Sequence, residues 1–297
     1  MKRRDFIVLF GGGVAVWPLS LFWSALARAQ NPPAADQPAA GPAGQVGQVA
    51  TVQGIATVTR ANAAPIPLQV ADPIFKNDTL ATGPNSTLGV TFDDETTFSL
   101  SADTRIVVNE FVFQDGGSAN SALFTVAVGT AAFVAGQVAK TGDMRIATPV
   151  ATLGIRGTTG VVDVPQGGTA GEEPKIKLYA DSDGHVGRIE VFNPQGGRLG
   201  LLTEGSSAFA LRPGPGGRFL AVPFRIPPAE AARDRGVLQR LFASHTIGRR
   251  MTIQRMRSRG FNRQPGRPGG PRQPFNRNPR GGPPPRRGNP GGRGRRQ

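Results

Sequence analysis

Between Leu153 and Val162 the only charged residue is Arg156, set in Gly154-Ile155-Arg156-Gly157-Thr158 between apolar runs. A guanidinium at such a turn can fork onto a carboxylate or onto backbone carbonyls and lock the turn. It can also face outward and bind an anion. Asp93, Asp94 and Glu95 are contiguous carboxylates; together they could hold Ca²⁺, and as a hairpin tip they read equally as a solvated turn. Asp181, Asp183 and Gly184 echo the start of a Ca²⁺ loop, but the closing Glu is absent, so a plain turn is expected. His185 and His245 are the only histidines, and neither has a second ligand at metal-binding spacing. The chain has no Cys, which removes disulfides, zinc-thiolate sites and thiol nucleophiles. Gly11–Gly13 and Gly167-Gly168 lack the Lys and the strand-to-helix setting of a phosphate loop. No catalytic, cofactor-binding or metal-ligating residue is assigned, and the chain reads as a non-enzyme without a cofactor.

The elements that must position these residues are short strands. Met144–Val164 reads as strand, turn, strand, with Arg156 at the turn. Leu88, Val90 and Phe92 share a face, Asp93-Asp94-Glu95 turns the chain, and Phe98 and Leu100 return, which predicts a hairpin. Ile106–Phe113 is apolar on both alternating faces. Leu123–Val128 and Ala131–Val138 read as two strands parted by Gly129. Lys175–Tyr179, Arg188–Phe192, Leu199–Leu202 and Ser207–Leu211 follow, with turn signals at Asp181–Gly184 and Glu204-Gly205. Turns at roughly eight- to twelve-residue intervals argue for an all-β domain over 45–226, a twisted β-solenoid-like form or roll. One amphipathic helix is expected over 227–248, with Val237, Leu238, Leu241 and Phe242 on one face. It suits either a cap on the β domain or a basic helix on an anionic membrane.

Residues 1–29 read as an export signal: Lys2-Arg3-Arg4, an apolar run from Phe6 to Leu26, and Ala27-Arg28-Ala29 before a cut between Ala29 and Gln30. Arg3, Arg4 and Phe6 fit the twin-arginine pattern; an ordinary secretory signal or an uncleaved anchor are the alternatives. After cleavage no later stretch is apolar enough to span a bilayer. Residues 30–44 form a Pro/Ala/Gly-rich linker. The net charge of +15 is uneven: from Arg235 onward there are 17 Arg and no acid, against 18 basic and all 20 acidic residues before it. Residues 249–297 are a low-complexity Arg/Gly/Pro tail expected to be disordered. In an exported protein its arginines, Arg286, Arg287, Arg293, Arg295 and Arg296 among them, would meet polyanions such as lipopolysaccharide, anionic lipid, acidic glycan or DNA. The alternative is a cationic extension with no specific partner.

Lys76-Asn77-Asp78-Thr79-Leu80-Ala81-Thr82-Gly83, the Ser86–Leu100 hairpin, and Thr148-Pro149 leading to Gly154-Ile155-Arg156-Gly157-Thr158 resemble the FecR domain family of bacterial envelope proteins. The family has Gly-Asp-aliphatic-Thr-Gly, an F-x-D-G turn and a TP…G-[VI]-R-G-T signature. The resemblance covers about Asp78 to Val164. Asn77 replaces a Gly of the pattern, and Asp94-Glu95 replaces its Asp-Gly. The best-known members carry a cytoplasmic anti-sigma segment ahead of a membrane helix; with a signal-like segment at Met1, sigma-factor control is not carried over. The resemblance implies a periplasmic or secreted location, a twisted solenoid-like β domain and an interaction role toward an envelope protein or glycan. The alternative is an exported polyanion- or nucleic-acid-binding protein acting through its tail.

Overall fold

The computed structural model describes residues 44–61, 63–167 and 172–261. The expected export signal with Arg3, Arg4, Phe6, Ala29 and Gln30, most of the expected linker, and the tail arginines Arg286, Arg287, Arg293, Arg295 and Arg296 lie outside the described residues.

Period-two alternation builds two sheets whose apolar faces meet. The front sheet runs, in spatial order, β4 (Pro73–Phe75), β1 (Gln45–Gln53), β6 (Thr87–Phe92), β7 (Thr97–Leu100), β9 (Ser121–Val134), β12 (Thr159–Val164), β13 (Lys175–Tyr179), β16 (Ser207–Pro213) and β17 (Phe219–Arg225). The back sheet runs β3 (Ile66–Pro67), β2 (Ala56–Thr59), β5 (Thr79–Thr82), β8 (Arg105–Val112), the same β9, β10 (Asp143–Ala147), β11 (Thr152–Arg156), β14 (Arg188–Phe192) and β15 (Arg198–Leu202). All pairings are antiparallel except β9 with β10, whose connection contains the short helix α1 (Val138–Thr141). Phe92, Phe98, Phe124, Phe133, Leu80, Leu88, Ile106, Met144 and Leu153 fill the space between the sheets. The all-β expectation holds, and the two sheets join as one folded surface rather than a closed barrel.

β9 belongs to both sheets. Its first half pairs with β8 and β10 and its second half with β7 and β12. The two strands expected around Gly129 are therefore one bent strand, and Val138 belongs to α1. Gly129 makes the bend with φ +91°, and a Cβ there would overlap the Thr104 side chain and Cα. Elsewhere the chain crosses from sheet to sheet at Gly54, Ala71, Asn77, Asn85, Asp103, Gly157, Gly184 and Ser206, all left-handed. The turns at Asp181–Gly184 and near Ser206 thus carry the chain between sheets and do not close hairpins.

Two further readings change. Met144–Val164 spans three strands, β10, β11 and β12, because Thr148 closes a first turn through hydrogen bonds between its hydroxyl and the Ala151 N–H and carbonyl, both 3.0 Å. In β8 the two apolar faces are reconciled by a bulge between Val108 and Glu110: Ile106 and Val108 point into the core, then Phe111 does, while Val112 is exposed.

Helix α2 (Pro228–Phe261) lies on the outer face of the front sheet, against β1, β6, β7 and β9. It extends thirteen residues beyond the expected end at 248, because Gly248, Thr252 and Arg255 continue the line of side chains that meets the sheet. No helix among the described residues is long and apolar enough to cross a membrane.

Replacing Gly129 by Ala should destabilise the domain by about 2 kcal/mol or more, since it adds a left-handed penalty to a clash. Gly167→Ala, where a Cβ meets nothing, is the control. Urea unfolding of both variants reads the difference; equal midpoints would remove Gly129 from its role as the corner.

Candidate functional site

Lys175, Lys177 and Tyr179 alternate along β13 toward the outer face, where the first turns of α2 cover them. Ile226 is buried beneath the helix start, and Pro227 and Pro228 turn the chain into α2. This places Glu230 and Asp234, one helical turn apart, over the strand. Lys177 is 2% exposed, and its ammonium lies 2.7 Å from Asp163, 2.8 Å from Asp234 and 2.9 Å from Glu230. Lys175 donates to Glu230 at 3.0 Å and sits over the Phe224 ring. The Tyr179 hydroxyl donates to Asp234 at 2.5 Å.

Burial alone would lower the Lys177 pKa, but Asp163, with Asp234 and Glu230, carries it well above the ordinary lysine range. Burial, reinforced by the bond to Asp234, pushes the Tyr179 phenol up. Burial works to raise the Glu230 carboxyl, yet the hydrogen bonds from Lys177 and Lys175 hold it below its usual value. A nucleophilic lysine needs the opposite shift, so this set fixes α2 on the sheet. It floors a cleft of about 1090 Å³ edged by Asp103, Asp163, Lys175, Arg212, Glu230 and Arg233. The sequence reading missed it; the signals were the K-I-K-L-Y alternation and the Glu230/Asp234 spacing just after two prolines.

Arg156 ends β11 with its side chain 40% exposed. It donates to the Gly142 carbonyl at 2.9 Å and lies 3.9 Å from the Asp143 carboxylate. The guanidinium thereby joins the end of β11 to the point where α1 passes into β10. Asp181 accepts from the Thr159 hydroxyl at 2.6 Å, and Asp183 accepts from the His185 N–H at 3.0 Å in an exposed turn. Among the described residues no His, Cys, Asp or Glu group is placed to hold a metal ion.

The acidic trio is not a solvated tip. Asp94 is fully buried and accepts from the Thr96 N–H and hydroxyl and from the Val138 N–H that opens α1. Burial pushes its pKa up, and those hydrogen bonds, the Thr96 hydroxyl foremost, oppose the rise. Asp93 pairs with Arg255 of α2, and Glu95 with Arg249 at 3.2 Å. Both departures from the motif pattern, Asn77 and Glu95, stand in left-handed conformations that favour the replaced glycine.

Beyond Leu241, α2 meets the sheet through polar groups. The Ser244 and Thr51 hydroxyls are 2.7 Å apart, His245 Nδ1 and the Thr97 hydroxyl 3.0 Å, and Gln48 donates to Thr252 at 3.4 Å. Gly89 and Gly248 permit this approach: a Cβ on Gly89 would overlap Ser244 and Thr51, and one on Gly248 would overlap Thr91. Burial lowers the His245 pKa; Glu95 opposes this, Arg249 adds to it and Asp181 opposes it.

With this geometry in view, residues 78–172 match the model of the family described as FecR protein. The match runs from Asp78 at the start of β5 through β12, so it contains β9 and the strands on both sides of it. The middle of the chain thus matches the FecR family over this segment, as its motifs indicated. Two crystal structures of a proposed anti-sigma factor from Parabacteroides distasonis, at 2.50 and 1.65 Å resolution, are similar. Each is 15% identical over 48% of this chain and 58% of the other, with TM-scores of 0.36 and 0.35. The chain thus covers little more than half of those structures. No curated protein matches it.

Lys177→Met should cost about 3–5 kcal/mol, because it leaves three carboxylates around a buried vacancy of charge. Lys175→Met, at a partly exposed pair, should cost about 1 kcal/mol or less. Similar losses in urea unfolding would argue against a buried lock. For His245 the unfolded chain binds the proton more readily, so its contribution is present above about pH 6.5 and is lost as pH falls. Stability should therefore decline from about pH 7.5 to about pH 5, and His245→Gln should flatten that slope. An unchanged slope would assign the decline to other groups.

Proposed function

We propose that the protein is a non-enzymatic, exported interaction module whose FecR-type domain acts in the periplasm or beyond, held near an anionic envelope surface by its basic C-terminal chain. The reading rests chiefly on one arrangement. No acidic residue follows Asp234, and Asp234 is locked onto Lys177 at the root of α2. The chain beyond Asp234 is therefore rooted at a fixed point on the β domain and carries arginines with no acidic residue of its own to neutralise them. Arg3, Arg4 and Phe6 would direct export before the cut between Ala29 and Gln30. Arg286, Arg287, Arg293, Arg295 and Arg296 would contact the polyanion by counterion release, which makes binding salt-sensitive and weakly selective. The partner of the β domain would be an envelope protein or a glycan.

A second reading makes the tail the active part and the β domain its scaffold, in a polyanion- or nucleic-acid-binding protein. The Arg-Gly and Arg-Pro pairs with Phe261 and Phe275 interleaved favour it, since guanidinium and aromatic groups serve single-stranded nucleic acid.

Chain from Gln30 to the end and chain from Gln30 to Phe261 should be sedimented with isolated envelope fractions at low and high salt. The tether reading expects the longer chain to pellet, the shorter to stay in solution, and salt to release the former. Equal, salt-independent pelleting of both would overturn the tether and point to a partner on the β domain itself.

A further inference from the structure

The interface under α2 changes character at Leu241. Up to that residue, Val237, Leu238 and Leu241 join Val161, Tyr179 and Ile226 in an apolar cluster, beside the Lys177 lock. Past it, no described residue of α2 belongs to that cluster. The inward side chains are instead Ser244, His245, Thr252 and Arg255, with Gly248 among them, and they rest on Gln48, Thr51, Thr91 and Thr97. Such contacts exchange readily with water, and separating them uncovers hydroxyls and amides rather than core. Two ion pairs among the described residues add to these contacts: Arg249 with Glu95, which is solvent-exposed, and Arg255 with Asp93, which is sheltered. Asp94, between the two acids, is pegged to α1, so the hairpin tip is held in place and the helix is the part free to move.

We propose that α2 beyond Leu241 is a releasable strap, latched onto the front sheet by Arg249 with Glu95 and Arg255 with Asp93, and that a polyanion captured by the basic chain lifts it by taking those two arginines. The second half of the proposal rests on the polyanion contacts put forward above; the first half does not. Lifting adds Arg249 and Arg255 to the cationic run and bares a flat, Thr-rich strip of β1, β6 and β7. The first half of the helix stays in place on its apolar cluster and buried lysine.

Hydrogen exchange of the full chain, corrected for intrinsic rates, tests this. Raising salt from about 20 mM to about 500 mM, which screens the exposed Arg249–Glu95 pair, should speed exchange over 244–257 by about two- to fivefold and leave 228–241 unchanged. Equal response of both halves, or none, overturns the strap. Glu95→Gln should give the fast exchange already at low salt, with protection of 228–241 reporting that the domain is folded. Reversing the pair, Glu95→Arg with Arg249→Glu, should restore slow exchange; failure to restore it overturns the latch. Polyphosphate at low salt should reproduce the effect of salt on 244–257. Polyphosphate that binds without that effect overturns the lifting step and spares the tail reading. Polyphosphate that does not bind overturns the tail reading and the lifting step, and leaves the salt-released strap standing.

Discussion

The chain changes sheets after every one or two strands, and each change needs a corner that an ordinary L-residue resists. All but one of these passages use a left-handed residue; the exception is spanned by α1. The bend at Gly129 matters most, because there the change occurs inside a strand. β9 hydrogen-bonds to both sheets, so its bend fixes their relative placement and with it the packing of Phe92, Phe98, Phe124 and Phe133 between them. Hairpins then add outward from β9 in alternation.

The motif residues of the FecR-type segment turn out to be joints. Asp78 is buried and accepts from the Phe75 N–H and from Arg60. Asp94 receives the start of α1, Thr148 closes the β10–β11 turn, and Arg156 holds the carbonyl of Gly142 before Gly157 leads the chain to the other sheet. A signature made of joints reports how the chain folds.

Much of this was legible. Alternation gave the strands, the Asp93–Glu95 tip gave its hairpin, and Gly129, Gly157 and Gly184 marked breaks or turns. What alternation could not convey was which strand each corner led to, so the turn between β13 and β14 did not reveal that the two strands belong to different sheets. Ala71 and Ser206 carry no corner signal, because those residue types reach a left-handed conformation only under tertiary constraint. The bulge in β8 hid in what read as a doubly apolar strand. The lysine lock escaped because its members lie in β12, β13 and α2, where spacing along the chain says nothing about proximity.

Among the described residues the front sheet ends in β17, a seven-residue strand paired on one side only, with Leu220 exposed. An open border of this kind invites a neighbouring copy to continue the ladder. Pro223, in the middle of β17, has no N–H to offer and interrupts the row of donors such a neighbour would need. Arg225 adds charge at the end of the same strand. A sheet grown by repeated addition of hairpins is thereby given a border that disfavours further pairing.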